Sequence, residues 1–281
     1  MVDHLVGSDA NLKRIQRIES AFGTSGIALV RKDRVLLGEG ILTKICKKKP
    51  KARQFFLFSD ILVYGNIVIN NKKFNQQRII PLEEIKLREI DDEGDIRNGW
   101  FICSQRKSFA VFASTPIEKQ QWMDHINRAV TDHIREANVR VSATFAATMV
   151  PDSEAKLCMH CQKTQFTFVN RRHHCRKCGM VVCGNCSSQK AIIADQSDKP
   201  QRVCSSCAVT LKREGGGGLP REISANGSTA NTPDSPVEED SDDDTGYTGS
   251  GTARELDEKA SFYERVPAAK RNSSEDEGQM I

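Results

Sequence analysis

The chain has 281 residues, 38% of them hydrophobic and 6% aromatic, a lean composition for one large globule and a better fit to one to three domains plus a polar remainder. No run approaches the roughly 20 consecutive apolar residues of a spanning helix, and the first thirty residues interleave charge with apolar side chains, unlike a secretory signal; the expectation is a cytosolic protein that meets membranes only from the aqueous side. Residues 212–281 hold sixteen acids against eight bases, leaving thirty-three bases against twenty-one acids in 1–211, so the basic front suits an anionic partner, phospholipid or nucleic acid.

In chain order, residues 1–34 form a lead-in around one short amphipathic helix. Asp9 is a fair N-cap, and Leu12, Ile15, Ile18 and Phe22 recur at helical spacing. Such a stripe is a packing face; a membrane-lying or partner helix is the alternative reading.

From 35 to 133 the pattern turns β-rich. Strands are expected over 36–46, 54–58, 61–64, 74–80, 85–90, 100–103 and 109–113, with turns at Ser59-Asp60, Gly65-Asn66, the acids with Gly94, and 104–108. Seven short strands with tight connections argue an antiparallel sandwich or barrel. One helix follows, announced by Thr115-Pro116-Ile117-Glu118, which puts Pro at the first helical position inside a Thr…Glu capping box. Trp122, Ile126, Ala129, Val130 and His133 line one face, so this helix plugs an open barrel end, with His133 packed or solvated rather than ligating metal. Residues 134–151 connect to a cysteine cluster at 152–212. The stretch 213–281 is rich in Gly, Ser, Thr, Asp and Glu, which cannot bury enough apolar surface to offset its ordering entropy, and is expected to be a disordered acidic tail.

Eight of the ten cysteines fall in four CxxC pairs, Cys158/Cys161, Cys175/Cys178, Cys183/Cys186 and Cys204/Cys207, separated by thirteen, four and seventeen residues. In a reducing compartment this is not a disulfide framework. A CxxC turn offers two thiolates to one ion, and two turns complete a tetrahedral zinc site. The four-residue gap is too short for its flanking pairs to embrace one ion comfortably, which favours interleaving. Cys158, Cys161, Cys183 and Cys186 would hold one zinc and Cys175, Cys178, Cys204 and Cys207 the other. Both sites are closed, so the metals are structural, and each contributes on the order of 10 kcal/mol to folding a unit this small. Cys46 and Cys103 read as ordinary core residues.

Around the second zinc lies a cationic strip, Arg171-Arg172-His173-His174-Cys175-Arg176-Lys177-Cys178, which Arg202 joins from beside Cys204. The planar fork of arginine suits phosphate oxygens. Just upstream, Phe168 and Val169 form an apolar tip. Tip and strip together are what a protein needs to wedge into a lipid interface while gripping a headgroup. Protonated, His173 and His174 would favour that phosphate, so affinity is expected to fall as pH rises through about 6–7.

This strip with its spaced cysteines and Arg202-Val203-Cys204 resembles the FYVE zinc-finger family, whose members recognise phosphatidylinositol 3-phosphate on early endosomes. By that resemblance Arg171, Arg172, His173, His174, Arg176 and Arg202 line a headgroup pocket, Phe168 and Val169 form the inserting loop, and Asp152 contacts the headgroup. Met149 stands where most members have Trp. The β-rich half with Trp122 on its helix is similar to a pleckstrin homology (PH) domain, in which Lys44, Lys51 and Arg53, around the first hairpin loop, match a headgroup motif. PH followed by FYVE with the RRHHCRKCG run resembles the Phafin family. The implied fold is α+β multidomain: a PH-type seven-stranded antiparallel β barrel capped by one C-terminal helix, then a small two-zinc FYVE-type domain and the acidic tail. The implied function is a non-enzymatic adaptor, peripheral on early endosomes and in reach of lysosomes, for trafficking and autophagy. Its partners would be phosphoinositide-containing membranes and further proteins, and not nucleic acid. Two other classes fit these residues less well. A RING-like ubiquitin ligase would usually carry a histidine ligand and an apolar groove, where this chain has cysteine and a cationic strip. Nucleic-acid binding would call for aromatics on a basic face or a recognition helix.

Overall fold

A computed structural model describes residues 8–47, 49–69, 72–92, 97–140, 142–214 and 260–263. Helix α1 (Asp9–Phe22) takes Ser8, not Asp9, as its N-cap: the Ser8 hydroxyl accepts from the Asn11 N–H at 3.2 Å. Asp9 becomes instead the first-turn acid that suits the positive end of the helix dipole. The buried stripe is Asn11, Ile15, Ile18 and Phe22, whereas Leu12 is 40% exposed. Asn11 can occupy the inner position because its amide is satisfied there. Its Nδ2 donates to the Arg34 carbonyl at 2.9 Å, and its Oδ1 accepts from the Leu36 N–H at 3.0 Å.

Seven antiparallel strands follow: β1 (Leu36–Lys44), β2 (Lys51–Phe58), β3 (Ile61–Ile69), β4 (Lys73–Pro81), β5 (Lys86–Glu89), β6 (Gly99–Cys103) and β7 (Phe109–Phe112), in the order β4-β3-β2-β1-β7-β6-β5. Strand alternation sends Phe55, Leu57, Leu62 and Tyr64 into the interior with Trp100, Ile102 and Val111. It sends Phe56, Phe58, Ile61 and Val63 to the other face, where α1 lays Ile15, Ile18 and Phe22 on them. Burial on both faces is why β2 ends in an unbroken apolar run. Helix α1 is therefore a packing element.

Two expectations about the strands are corrected. Gly65-Asn66 is not a turn but a register irregularity inside β3. The Phe22 ring of α1 fills the space beside Gly65, where a Cβ would come within 2.5 Å of Phe22 Cε1. And β2 begins at Lys51, which pairs with Lys44, so Lys51 and Arg53 are strand residues rather than loop residues. The turn expected at Gly94 lies outside the described residues.

Helix α2 (Pro116–Ala137) starts as its sequence dictates. The Thr115 hydroxyl accepts from the Glu118 N–H at 3.1 Å, and the Glu118 carboxylate reaches back to the Ser114 N–H at 3.0 Å. Trp122, Met123, Ile126 and Ala129 close the interior of the sheet. The helix runs past 133 and ends on Asn138 in the left-handed region, φ 50°. His133 donates to the Glu83 carboxylate at 3.1 Å.

The second unit is built from two hairpins, β8 (His173–His174) with β9 (Val181–Val182) and β10 (Gln189–Ile193) with β11 (Ser197–Val203), closed by α3 (Ser205–Arg213). Residues 215–259 and 264–281, including the acidic run 238–244, lie outside the described residues. Residues 260–263 depart from the expected disorder: β12 (Ser261–Phe262) pairs antiparallel with β1.

One ion pair fastens the segment after α1 to the β2–β3 turn. Arg34 Nε and Nη2 meet the Asp60 carboxylate at 2.7 and 2.6 Å, while Nη1 donates to the Leu29 carbonyl at 2.8 Å. The Arg34 side chain is 6% exposed and that of Asp60 21%. Asp60→Ala strands the guanidinium, and the first domain is expected to lose about 2–3 kcal/mol. Denaturant unfolding followed by tryptophan fluorescence checks this, because both tryptophans, Trp100 and Trp122, are fully buried in that domain.

Candidate functional site

The chain folds back on its four CxxC turns so that the sulfurs of Cys158, Cys161, Cys183 and Cys186 lie within 4.8 Å of one another, and those of Cys175, Cys178, Cys204 and Cys207 do the same. Main-chain amides support the sulfurs: the Cys183 N–H donates to Cys158 Sγ at 3.3 Å and the Cys204 N–H to Cys175 Sγ at 3.2 Å. The electrostatics of each cluster show what it needs. Burial, then the neighbouring Cys183, Cys161 and Cys158 sulfurs, push the Cys186 thiol up to about 12. Burial, with Cys175 and Cys204 adding to it, pushes the Cys178 thiol up to about 11. The Thr164 hydroxyl and nearby amides pull the Cys161 thiol down to about 5. Four sulfurs so confined cannot all ionise by themselves, and a divalent cation removes that conflict. The donor sets fit two zinc ions in closed tetrathiolate sites, and the domain binds two.

Gly179, directly after the second CxxC, has φ 79°, and a Cβ there would strike the Thr148 carbonyl oxygen. Through that gap the incoming chain docks, with the Val150 N–H donating to the Gly179 carbonyl at 3.0 Å. This carries Asp152 to the edge of the cationic strip. One carboxylate oxygen of Asp152, Oδ1, is buried without a hydrogen-bond partner, 3.8 Å from His174 Nε2.

The strip itself is held in place by the backbone. His173 and His174 pair with Val182 and Val181. The Arg176 N–H donates to the Arg202 carbonyl at 2.9 Å, which brings those two arginines onto adjacent chains. Arg202 spends one N–H on the Ser187 carbonyl at 2.7 Å. Arg172 donates its Nε to the Ala155 carbonyl at 3.2 Å and lies 5.0 Å over the Phe166 ring. Arg171 is exposed. His174 donates Nε2–H to the Val150 carbonyl at 2.7 Å. Burial holds its pKa below the usual value against the opposing pull of Val150 and Asp152, with the charges of Lys47 and Arg176 adding to the lowering. At this residue the protonation window expected from the sequence moves to lower pH, and at neutral pH the ring donates as a neutral group.

The loop before the strip is apolar and bare. Phe168 is 98% exposed and Val169 89%, while the neighbouring Phe166 is in the core. Hydrogen bonds between Thr167 and Asn170, and from the Arg171 N–H to the Val169 carbonyl, fold this tip tightly.

In the first domain Lys44, Lys51 and Arg53 share one face of the β1–β2 hairpin. Lys44 is 1% and Arg53 5% exposed, with Lys51 between buried and exposed. The Lys44 ammonium lies 4.9 Å over the Phe109 ring and 6.0 Å over that of Tyr64. This face is the inner one, so these cations line the mouth of the barrel beside its aromatic core rather than a solvated loop. The site residue that sequence reasoning passed over is Thr164, whose hydroxyl lies 3.5 Å from Cys161 Sγ; nothing in a threonine between two CxxC turns announces it.

Comparison with known families matches residues 148–213 to the FYVE zinc finger and residues 29–129 to the SOS1/NGEF-like PH domain. Pleckstrin homology domain-containing family F member 2 of Homo sapiens is 58% identical over 74% of this chain and 83% of its own length, and the Gallus gallus protein of that name gives the same values. Family F member 1 of Homo sapiens is 48% identical over 74% of each chain.

Elemental mass spectrometry of the purified chain is expected to find two zinc ions, and Cys178→Ser to lower that count while leaving the first tetrad loaded. Chelation is expected to raise amide exchange across 152–212 and leave the tryptophan fluorescence of the first domain unchanged.

Proposed function

The chain belongs to the Phafin family, and from that premise we propose that this phosphoinositide-binding adaptor reads phosphatidylinositol 3-phosphate on endosomal membranes through its FYVE domain. The observation that carries the reading is the pair Phe168 and Val169, standing almost wholly in solvent on a tightly folded tip that runs straight into Arg171 and Arg172. A large exposed aromatic flanked by arginines is costly in water and favourable at a lipid interface. Insertion of the tip would set the strip of Arg171, Arg172, His173, His174, Arg176 and Arg202 against the headgroup. The buried, unpartnered Asp152 oxygen then suits a hydroxyl donor of the inositol ring.

Lys44, Lys51 and Arg53 act as a second phosphoinositide site at the mouth of the PH domain, and the two sites reinforce each other on one membrane. No residue is assigned a catalytic role: closed tetrathiolate sites leave no coordination position for substrate. Endosomal trafficking and autophagy, with early endosomes and lysosomes as the membranes, are the settings this chemistry suits.

Liposome co-sedimentation of the zinc-loaded chain across the phosphoinositides tests the reading. Binding is expected to favour phosphatidylinositol 3-phosphate, and Arg171→Ala/Arg172→Ala to weaken it by about 2 kcal/mol, roughly thirtyfold. Phe168→Ala/Val169→Ala is expected to weaken binding to every liposome while leaving the order of headgroup preference intact. An absence of lipid preference in the zinc-loaded protein overturns the proposal.

A further inference from the structure

Strand β1 is covered along its whole length on one side by β2, but on the other side β7 pairs only with Thr43 and Lys44. The first half of that second edge is occupied by residues from more than 200 positions downstream. Gly38 pairs with Phe262 and Glu39 with Ser261, and the Tyr263 N–H donates to the Leu37 carbonyl at 2.8 Å. An unpaired sheet edge invites such an added strand, and three independent features show that this edge is shaped for this one.

The first is room. A Cβ at Gly38 would lie 2.5 Å from Phe262 Cδ1, and one at Gly40 would lie 3.0 Å from both Ala260 Cα and Cβ. Neither glycine has a positive φ, so the local backbone does not demand glycine; the visiting strand demands it at Gly38, and at Gly40 it shares that demand with Trp122 Cζ2, 3.2 Å from the same Cβ position. The second is aromatic packing. The Phe262 ring stacks on His125 of α2 at 4.0 Å and 18° and meets Trp122 edge-on at 5.1 Å and 75°. The third is polar matching. The Tyr263 hydroxyl donates to Glu39 at 2.8 Å, Arg17 of α1 grips the same carboxylate at 2.8 and 2.7 Å, and the Arg14 guanidinium lies 4.5 Å over the Tyr263 ring. Burial, with Glu39 beside it, pushes the Tyr263 hydroxyl up to about 12, so it remains a donor to that carboxylate.

We propose that the open edge of β1, walled by α1 and α2, is a peptide-binding groove, and that its resident ligand is the chain's own Ala260-Ser261-Phe262-Tyr263 segment, which fastens the C-terminal region to the PH domain. The recognised chemistry is a short extended strand with a small residue against Gly40, an aromatic ring for His125 and Trp122, and a phenol for Glu39. The groove lies at the opposite end of β1 from Lys44, five residues or roughly 17 Å along the strand from Glu39, so its occupancy does not compete with a headgroup at the barrel mouth.

The test uses the full-length chain, wild type and Phe262→Ala, with a fluorescein-labelled peptide of residues 256–267 as probe. In the wild type the tethered segment competes at the high effective concentration of a linked ligand. Anisotropy is therefore expected to show the peptide binding Phe262→Ala at least tenfold more tightly than the wild type, and not binding Gly38→Val/Phe262→Ala. Amide exchange at 37–40 and 261–263 is expected to be slow in the wild type and fast in Phe262→Ala, with far-ultraviolet circular dichroism and liposome binding the same in both. Equal exchange in the two proteins, or equal peptide binding to both, overturns the proposal. Protection that appears only as protein concentration rises places the strand of a second copy in the groove and overturns the assignment within one chain.

Discussion

Four sulfurs held within 4.8 Å of one another are an unstable arrangement until a divalent cation sits among them. The second domain is built on that requirement. Its apolar core consists of cysteines, alanines and valines with few larger side chains, Phe166, Ile193 and Leu211, and a core so small does not hold two short hairpins by hydrophobic burial alone. Metal binding fixes the turn at 175–178. That turn sets the register of His173 and His174 against Val182 and Val181, and it leads Arg176 to Arg202. The same fixed frame keeps the tip at 168–169 projecting, although burial of Phe168 would be the default for a free chain. Structural metal and surface chemistry are thus one device: the ions hold the cations and the apolar tip in an arrangement that water opposes.

What the sequence made legible follows from how local each signal is. The cysteine pairs, the capping of α2 and the alternation of the strands depend on neighbours within about 20 residues, and they can be read from spacing. Leu12 and Gly65 take roles set by distant partners, whereas the cap of α1 is a choice between the neighbours Ser8 and Asp9 that spacing does not decide. Asn11 enters the stripe of α1 only because Arg34 and Leu36 satisfy its amide, and Gly65 lies within a strand because Phe22 needs the space. The strand at 261–262 is the extreme case. Two residues carry no periodicity, the surrounding composition is polar, and the features that receive them, Gly38 and Gly40, look like ordinary weak points in a strand. Likewise the burial of Lys44 and Arg53 could not be read from a run of basic residues, which looks the same whether it is solvated or turned inward over Phe109 and Tyr64.

The connector between the domains changes how the two surfaces proposed to read lipid would work together. A free linker would let each search for membrane separately, with the second event favoured only by effective concentration. Here the connecting backbone is strapped to both sides. The Ser142 N–H donates to the Glu83 carbonyl at 3.1 Å and the Ala146 N–H to that of Ser104 at 2.9 Å, before Val150 reaches Gly179. Thr144 donates to the Asp195 carboxylate at 3.2 Å, and the Asp152 N–H reaches the Lys47 carbonyl at 3.3 Å. Strapping lowers the ordering cost of engaging a second site only where both sites meet one surface, and it imposes a penalty where they do not. The segment between β1 and β2 is where that balance is decided. Lys47 touches the cationic-strip side of the second domain through Asp152 and adds its charge to the surroundings of His174, while Lys44 and Lys51, at either end of the same segment, frame the mouth of the first. Were a phosphate to bind at either proposed site, Lys47 would be the charge that both share, since it lies on the segment that joins Lys44 to Lys51 and acts on His174.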